Sequence, residues 1–176
     1  MDKAYLNWRQ TDPCFNEAPA WPAEQFPEAT HHYFRSCGCL VCSLAVILRH
    51  FDIEKVADER LFNPWVLNQR LIECGAFDAA ADLELADIDR LYPLTYLGVV
   101  PYSPDALRDA VRKGQLCLVA VPGIRSGKHF MALCGLTGDD AVVYDPLCGQ
   151  RRLSSYEHVY NIRVFRREGQ GETQGD

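Results

Sequence analysis

The sequence predicts an α+β domain in two lobes, with helices first and an antiparallel sheet after them. Three observations carry that prediction. Residues 39–51 form an apolar run of helical length, closed by Arg49-His50-Phe51. A second helical pattern opens at Pro64. From Leu94 onward, short apolar runs alternate with turn residues, which is the signature of strands. A chain of 176 residues is long enough to bury one core, so a single domain over residues 1–166 is expected. An irregular arm (residues 1–36) precedes the core in that reading, and a mobile tail (residues 167–176) follows it.

Each element has a local reason. The arm holds four prolines, which oppose regular helix, and seven aromatic residues including Tyr5, Trp8, Phe15 and Trp21, which oppose disorder. The run from Cys39 is apolar nearly all the way round, so it predicts a helix buried inside the protein. It is too short to cross a bilayer. Pro64 suits a first helical turn, Leu67, Leu71 and Cys74 share one face, and Gly75 is a C-cap. Residues 78–90 are acidic and predict a short helix. Leu94 to Val100 reads as a strand. Ser103-Pro104-Asp105 supplies an N-cap, a first-turn proline and a first-turn acid for a helix closed by Gly114. Leu116–Val121 and His129–Leu136 are strands joined through Pro122-Gly123 and Ser126-Gly127. Thr137-Gly138-Asp139-Asp140 is a hairpin loop, Ala141–Tyr144 its second strand, and Asn161–Phe165 the last strand.

Composition excludes several function classes. The net charge is −6, and the eighteen Lys and Arg cluster no further than Arg151-Arg152 and Arg166-Arg167, so no nucleic-acid partner is expected. Met1-Asp2-Lys3-Ala4 leads into no apolar segment; the expectation is no signal peptide, no membrane partner and a cytoplasmic protein as synthesised. The eight cysteines are expected to be reduced. Cys37, Cys39 and Cys42, with His31 and His32 upstream, raise the question of zinc. They lack a second Cys-x-x-Cys or His pair at finger-like distance, so no metal and no cofactor is expected. Cys117 and Cys134 lie in strand-like runs and read as core, while His50 and His158 read as solvated.

One constellation carries chemistry. Cys39 follows Gly38 at the mouth of the apolar helix, where unpaired N–H groups and the positive end of the helix dipole favour a thiolate nucleophile. Such a nucleophile needs a base, and the base needs an orienting group. His129 begins one strand and Asp145 ends the next, just before Pro146. In a hairpin those positions lie at the same end, close together.

The run Gly38-Cys39-Leu40-Val41-Cys42-Ser43-Leu44-Ala45 resembles the nucleophile motif of papain-fold peptidases related to the bacteriocin-processing (double-glycine) peptidases, Gly-Cys-x-x-[Thr/Cys]-Ser-[Leu/Ile]-Ala. Gly127-Lys128-His129-Phe130-Met131-Ala132 resembles that family's base strand with one residue inserted after the glycine, and Val143-Tyr144-Asp145-Pro146 its Asp-Pro element. Phe62-Asn63-Pro64 with Gly75-Ala76-Phe77, and Gln10-Thr11-Asp12-Pro13-Cys14-Phe15, are similar to segments of prophage-encoded members, Phe15 standing where they carry tryptophan. The matches run from residue 10 to about residue 165 in family order. The resemblance implies a papain-like fold and a cysteine peptidase with Cys39 as nucleophile, His129 as base and acid, and Asp145 as orienting group. It implies an oxyanion donor at Gln10, with Gln25 as the other candidate. The implied substrate is a peptide or peptidoglycan stem-peptide amide in a phage or bacterial setting, with phage-mediated delivery to the cell wall as one route. Cys37-Gly38 mimics the start of the motif, but the register of Ser43-Leu44-Ala45 favours Cys39. Two other readings use the same residues: a binding or structural module that leaves the site unused, and acyl transfer or deamidation on the same three groups.

Overall fold

The computed structural model describes residues 7–14, 17–29, 33–53, 62–123 and 127–168. A single helical turn, α1 (Phe34–Cys37), sits at the end of what the sequence reads as irregular arm, and α2 (Cys39–His50) follows at once. Gly38 joins them with φ of −72°, a value any residue adopts, so it is space that requires glycine here. A Cβ on Gly38 would lie 2.6 Å from the Phe34 carbonyl oxygen and 2.6 Å from the Phe34 ring. The Gly38 N–H donates to that same carbonyl at 2.7 Å, which holds the two helices together. Gly38→Ala is therefore expected to destabilise the fold by about 1–3 kcal/mol, as overpacking does. Urea unfolding checks this, and an unchanged midpoint would mean that the α1–α2 junction yields freely.

Helix α2 is buried from Val41 through Leu48, as its uniform apolarity predicts. Each Leu or Ile so enclosed contributes roughly 1.5–3 kcal/mol. Helix α3 (Pro64–Glu73) has Asn63 as N-cap, its Oδ1 accepting from the Val66 N–H, and packs Leu67 and Leu71 against α2. The acidic stretch after it is a β-bridge between Phe77 and Leu83 followed by a 3₁₀ turn at Leu85–Arg90, shorter and tighter than the helix read for residues 78–90.

Six strands follow: β1 (Leu94–Pro101), β2 (Leu116–Pro122), β3 (Lys128–Thr137), β4 (Asp140–Asp145), β5 (Gly149–Arg152) and β6 (Asn161–Arg167). Helix α4 (Pro104–Arg112) lies between β1 and β2, capped by the Ser103 side chain. All strand pairs are antiparallel, in the order β1-β6-β2-β3-β4-β5. Strand β6 thus returns to pair between β1 and β2. Side chains alternate across the sheet. Leu116 and Leu118 face the layer of α2, α3 and the arm residues Trp21, Phe26 and Phe34, whereas Cys117, Val119 and Val121 face Leu107 and Ala110 of α4. Burial on both faces explains why β2 reads as a continuous apolar run. The result is an α+β architecture around a six-stranded antiparallel sheet.

Several boundaries differ from the sequence reading. Strand β5 is absent from it, because Gly149-Gln150-Arg151-Arg152 is an edge strand with three exposed residues and no apolar alternation. Asp140, read as hairpin loop, pairs with Thr137 as the first residue of β4. Strand β6 runs to Arg167 and pairs with β1 there, so the last strand is longer than its apolar residues and the start of the tail moves outward. His50 is half-buried, its Nε2 3.0 Å from the Cys134 carbonyl oxygen, whereas His158 is exposed as expected. Among the described residues, no helix is long and apolar enough to cross a membrane.

Candidate active site

The first turn of α2 meets the start of β3. Ser43 lies one turn into the helix, fully buried, and its hydroxyl donates to the Phe130 carbonyl at 2.9 Å. That bond pins the helix four residues after Cys39 to the strand one residue after His129. It ties the first turns of the helix that carries Cys39 to the start of the strand that carries His129. Cys39 heads a twelve-residue helix, so the N–H groups of its first turn have no acceptor within the helix. Its thiol is half-buried and within hydrogen-bonding reach of the His129 imidazole.

His129 pairs with Val121 across β2 and β3. Ala132 pairs with Tyr144 across β3 and β4, so continuing that register sets Asp145 opposite Met131, two residues from His129 on the same face. The two side chains are diagonal neighbours. His129 Nε2 donates to Asp145 Oδ1 at 2.8 Å. This leaves Nδ1 as the nitrogen available to Cys39, so the orienting bond selects the tautomer that can accept a proton from sulfur. Burial alone would lower the His129 pKa, but the hydrogen bonds and charges of Asp145 and Cys39 outweigh it and raise the pKa from 6.5 to about 9.

Asp145 is itself held on three sides. Besides His129, the Leu147 N–H donates to Oδ1 at 2.7 Å and the Tyr156 hydroxyl donates to Oδ2 at 2.6 Å. Burial pushes its pKa up, and these donors together with the imidazole charge push it further down, well below the usual carboxylate range. The carboxylate stays ionised wherever the imidazole is charged. Tyr156 is a member of this constellation that the sequence reading missed. It follows the short Leu153–Ser155 turn, and nothing local marks a tyrosine there as a partner for a residue eleven positions earlier.

The neighbouring thiols have other partners and surroundings. Cys37 donates its S–H to the Tyr33 carbonyl at 3.3 Å, and burial together with the charge of Cys39 pushes its pKa up to about 12. Cys42 is fully buried and raised well above the free-thiol value, first by burial and then by the charge of Cys39. Both are held as neutral thiols. The geometry therefore separates Cys39 from Cys37 by partner, the Tyr33 carbonyl for Cys37 and the imidazole for Cys39.

Gln10 is buried and laces the arm to both sides of the site. Its backbone N–H donates to the Pro146 carbonyl at 3.1 Å, next to Asp145. Its side-chain Nε2 donates to the Arg35 carbonyl at 2.6 Å, four residues before Cys39. Gln25 is exposed on the turn after Pro22. Arg9 braces the same corner, donating to the Tyr144 hydroxyl at 2.8 Å. His31, His32, Phe15 and Ser126 lie outside the described residues. Among those described, no group of three or more His, Cys, Asp or Glu is placed to hold a metal ion.

Beside Cys39 lies a cleft of about 630 Å³ between the helical layer and the sheet. Its walls come from the arm, the α1–α2 junction, α3, the 77–85 segment and the starts of β3 and β6, with Trp21, Asn68, Phe77, Leu83, Lys128 and Arg163 among them. Cys39 is one of the residues that line the cleft. A thiol, a base with the correct nitrogen free, a buried carboxylate and an adjoining cleft are together competent for nucleophilic attack on a carbonyl. Comparison with known families, curated proteins and solved structures returns no match.

Proposed function

We propose that this chain is a cysteine peptidase of papain-like fold that hydrolyses a peptide or peptidoglycan-type amide through Cys39, His129 and Asp145. The observation that carries the reading is the imidazole itself. Its Nε2 is committed to a triply hydrogen-bonded carboxylate, and its other side meets the thiol at the head of a buried helix. The motif resemblance supports the same assignment residue by residue.

In this mechanism the Cys39 thiolate attacks the amide carbonyl and the carbonyl π electrons move to oxygen. The oxyanion accepts hydrogen bonds from the first-turn N–H of Cys39 and from the Gln10 amide, which has a second N–H beyond the one given to Arg35. Collapse expels the amine, which takes the proton from His129 Nδ1, and leaves a thioester on Cys39. Neutral His129 then removes a proton from water, hydroxide adds to the thioester, and the carboxylic acid leaves with the thiolate restored. Asp145 keeps the ring in register throughout and stabilises its charged form.

The test is cleavage of a pooled peptide library, with purified peptidoglycan as a parallel arm, read by mass spectrometry as new termini. Wild type and Cys37→Ala are expected to produce the same termini, and Cys39→Ala none. Persistent cleavage by Cys39→Ala, or a loss confined to Cys37→Ala, would remove Cys39 from the nucleophile role.

A further inference from the structure

The sheet side of the cleft carries a lysine and an arginine on one face. Lys128 opens β3 next to His129, and Arg163 lies in β6. Along β3, Lys128, Phe130 and Ala132 alternate to the same side; Ala132 pairs with Leu118 of β2, and Leu118 pairs with Arg163. Lys128, Phe130 and Arg163 line the cleft together with Cys39. Neutral groups hold Arg163 in place. Its guanidinium lies over the Phe130 ring at 5.1 Å, and Nη1 donates to Asn161 Oδ1 at 3.1 Å. Among the described residues, neither Lys128 nor Arg163 forms an ion pair. Asp82, from the 77–85 segment, is the one carboxylate among the lining residues; it is exposed and pairs with neither.

A guanidinium presents its N–H donors in a rigid planar fork that matches a carboxylate. Arg163 gives one donor to a neutral amide oxygen, so its charge is uncompensated and other donors remain for a ligand. It is half-buried, and partly buried charges are screened less than exposed ones. We infer that this wall of the cleft takes a carboxylate of the substrate near the scissile bond, with Arg163 as the specificity-determining residue and Lys128 adding charge beside His129. The inference rests on the proposed peptidase reading and narrows its substrate to an acidic peptide. A carboxylate accepts charge-assisted N–H bonds with both oxygens, which are about twice as strong as neutral ones. A carboxamide of the same shape brings one oxygen and turns its NH₂ toward donors. An ammonium group meets like charge here and is drawn instead to Asp82. The same chemistry is available from an aspartate or glutamate side chain and from a free C-terminus.

The experiment uses Cys39→Ala, which binds without reacting, and capped tetra-alanine peptides in which glutamate, glutamine or lysine is moved through the four positions. Tetra-alanine with a free C-terminus is compared with its amide. Binding is read by NMR from the Arg163 Nε–H resonance, assigned by its loss in Arg163→Gln, and from the Phe130 amide. If a side chain is read, one glutamate peptide shifts the Arg163 resonance and binds about 10-fold more tightly than its glutamine and lysine counterparts. If the terminus is read, the free acid binds about 10-fold more tightly than the amide. Either result supports the acidic subsite, and in either case the preference should vanish in Arg163→Gln. It should also weaken about 3-fold in Lys128→Gln, a change at an exposed position that the fold tolerates. No preference for an acid in any peptide, tighter binding of the lysine peptides, or an acid preference that leaves the Arg163 resonance unmoved would overturn the inference. Binding is read without turnover, so failure here is separable from failure of the thiol chemistry, which alkylation of the wild type tests directly.

Discussion

At pH 6, iodoacetamide is expected to alkylate Cys39 about 100-fold faster in the wild type than in His129→Ala. The size follows from the ionisation of a free thiol, which with a pKa near 8.5 is only roughly 0.3% thiolate at pH 6. In general a positive charge beside a thiol favours the ionised form, and nucleophilicity follows the thiolate. The sign of the pH dependence comes from His129. Its pKa is raised to about 9, so below pH 9 the ring is charged and supports the thiolate, and above pH 9 it is neutral and offers nothing. An isolated thiol is itself ionised by then. The two rate profiles should therefore be far apart in acid, converge toward pH 9 and coincide beyond it. Peptide mass mapping reads the label at Cys39, with Cys37 and Cys42 as internal controls that burial keeps neutral. Superimposable curves would mean that the imidazole does not act on this sulfur, and the peptidase proposal would lose its chemical basis.

Asp145→Asn is expected to lower kcat by roughly 10²- to 10⁴-fold, the range set by the same change in a serine triad at its upper end. The wild-type carboxylate has acceptor oxygens only, and both are used. Asparagine can still accept from His129 and Leu147 through its one oxygen. Its NH₂ then faces Tyr156, whose hydroxyl can rotate to accept, so the fold should survive. What is lost is the negative charge that stabilises the imidazolium. Alkylation at pH 6 should fall toward the His129→Ala rate, since less charged imidazole remains to support the thiolate. Wild-type turnover at saturating substrate, together with a wild-type alkylation profile, would remove Asp145 from the site.

Much of the site was legible because its parts sit at the ends of regular elements. Cys39 stands behind a glycine at the head of an apolar helix, His129 at the start of a strand and Asp145 at the end of the next. Hairpin register alone brings the last two close. The α+β class was legible too, since the change from helical to strand periodicity near Leu94 depends only on local sequence. Strand β5 was not, because an exposed edge strand is specified by its neighbour β4 and not by its own apolar pattern.

What the sequence by itself determined is the set of elements and the three residue types that meet at their ends, because period, capping and turn chemistry act within a few residues. The motif register favours Cys39 over Cys37, and only the tertiary structure gives the two sulfurs different partners. Cys37 and Cys39 are both half-buried, but one is bonded to the Tyr33 carbonyl while the other meets the imidazole. Only the tertiary structure brought Tyr156 to Asp145, Ser43 to Phe130, and Lys128 and Arg163 into one cleft. These contacts join elements far apart in the chain. They depend on how helices pack over a twisted sheet, which is not a property of any short stretch of sequence.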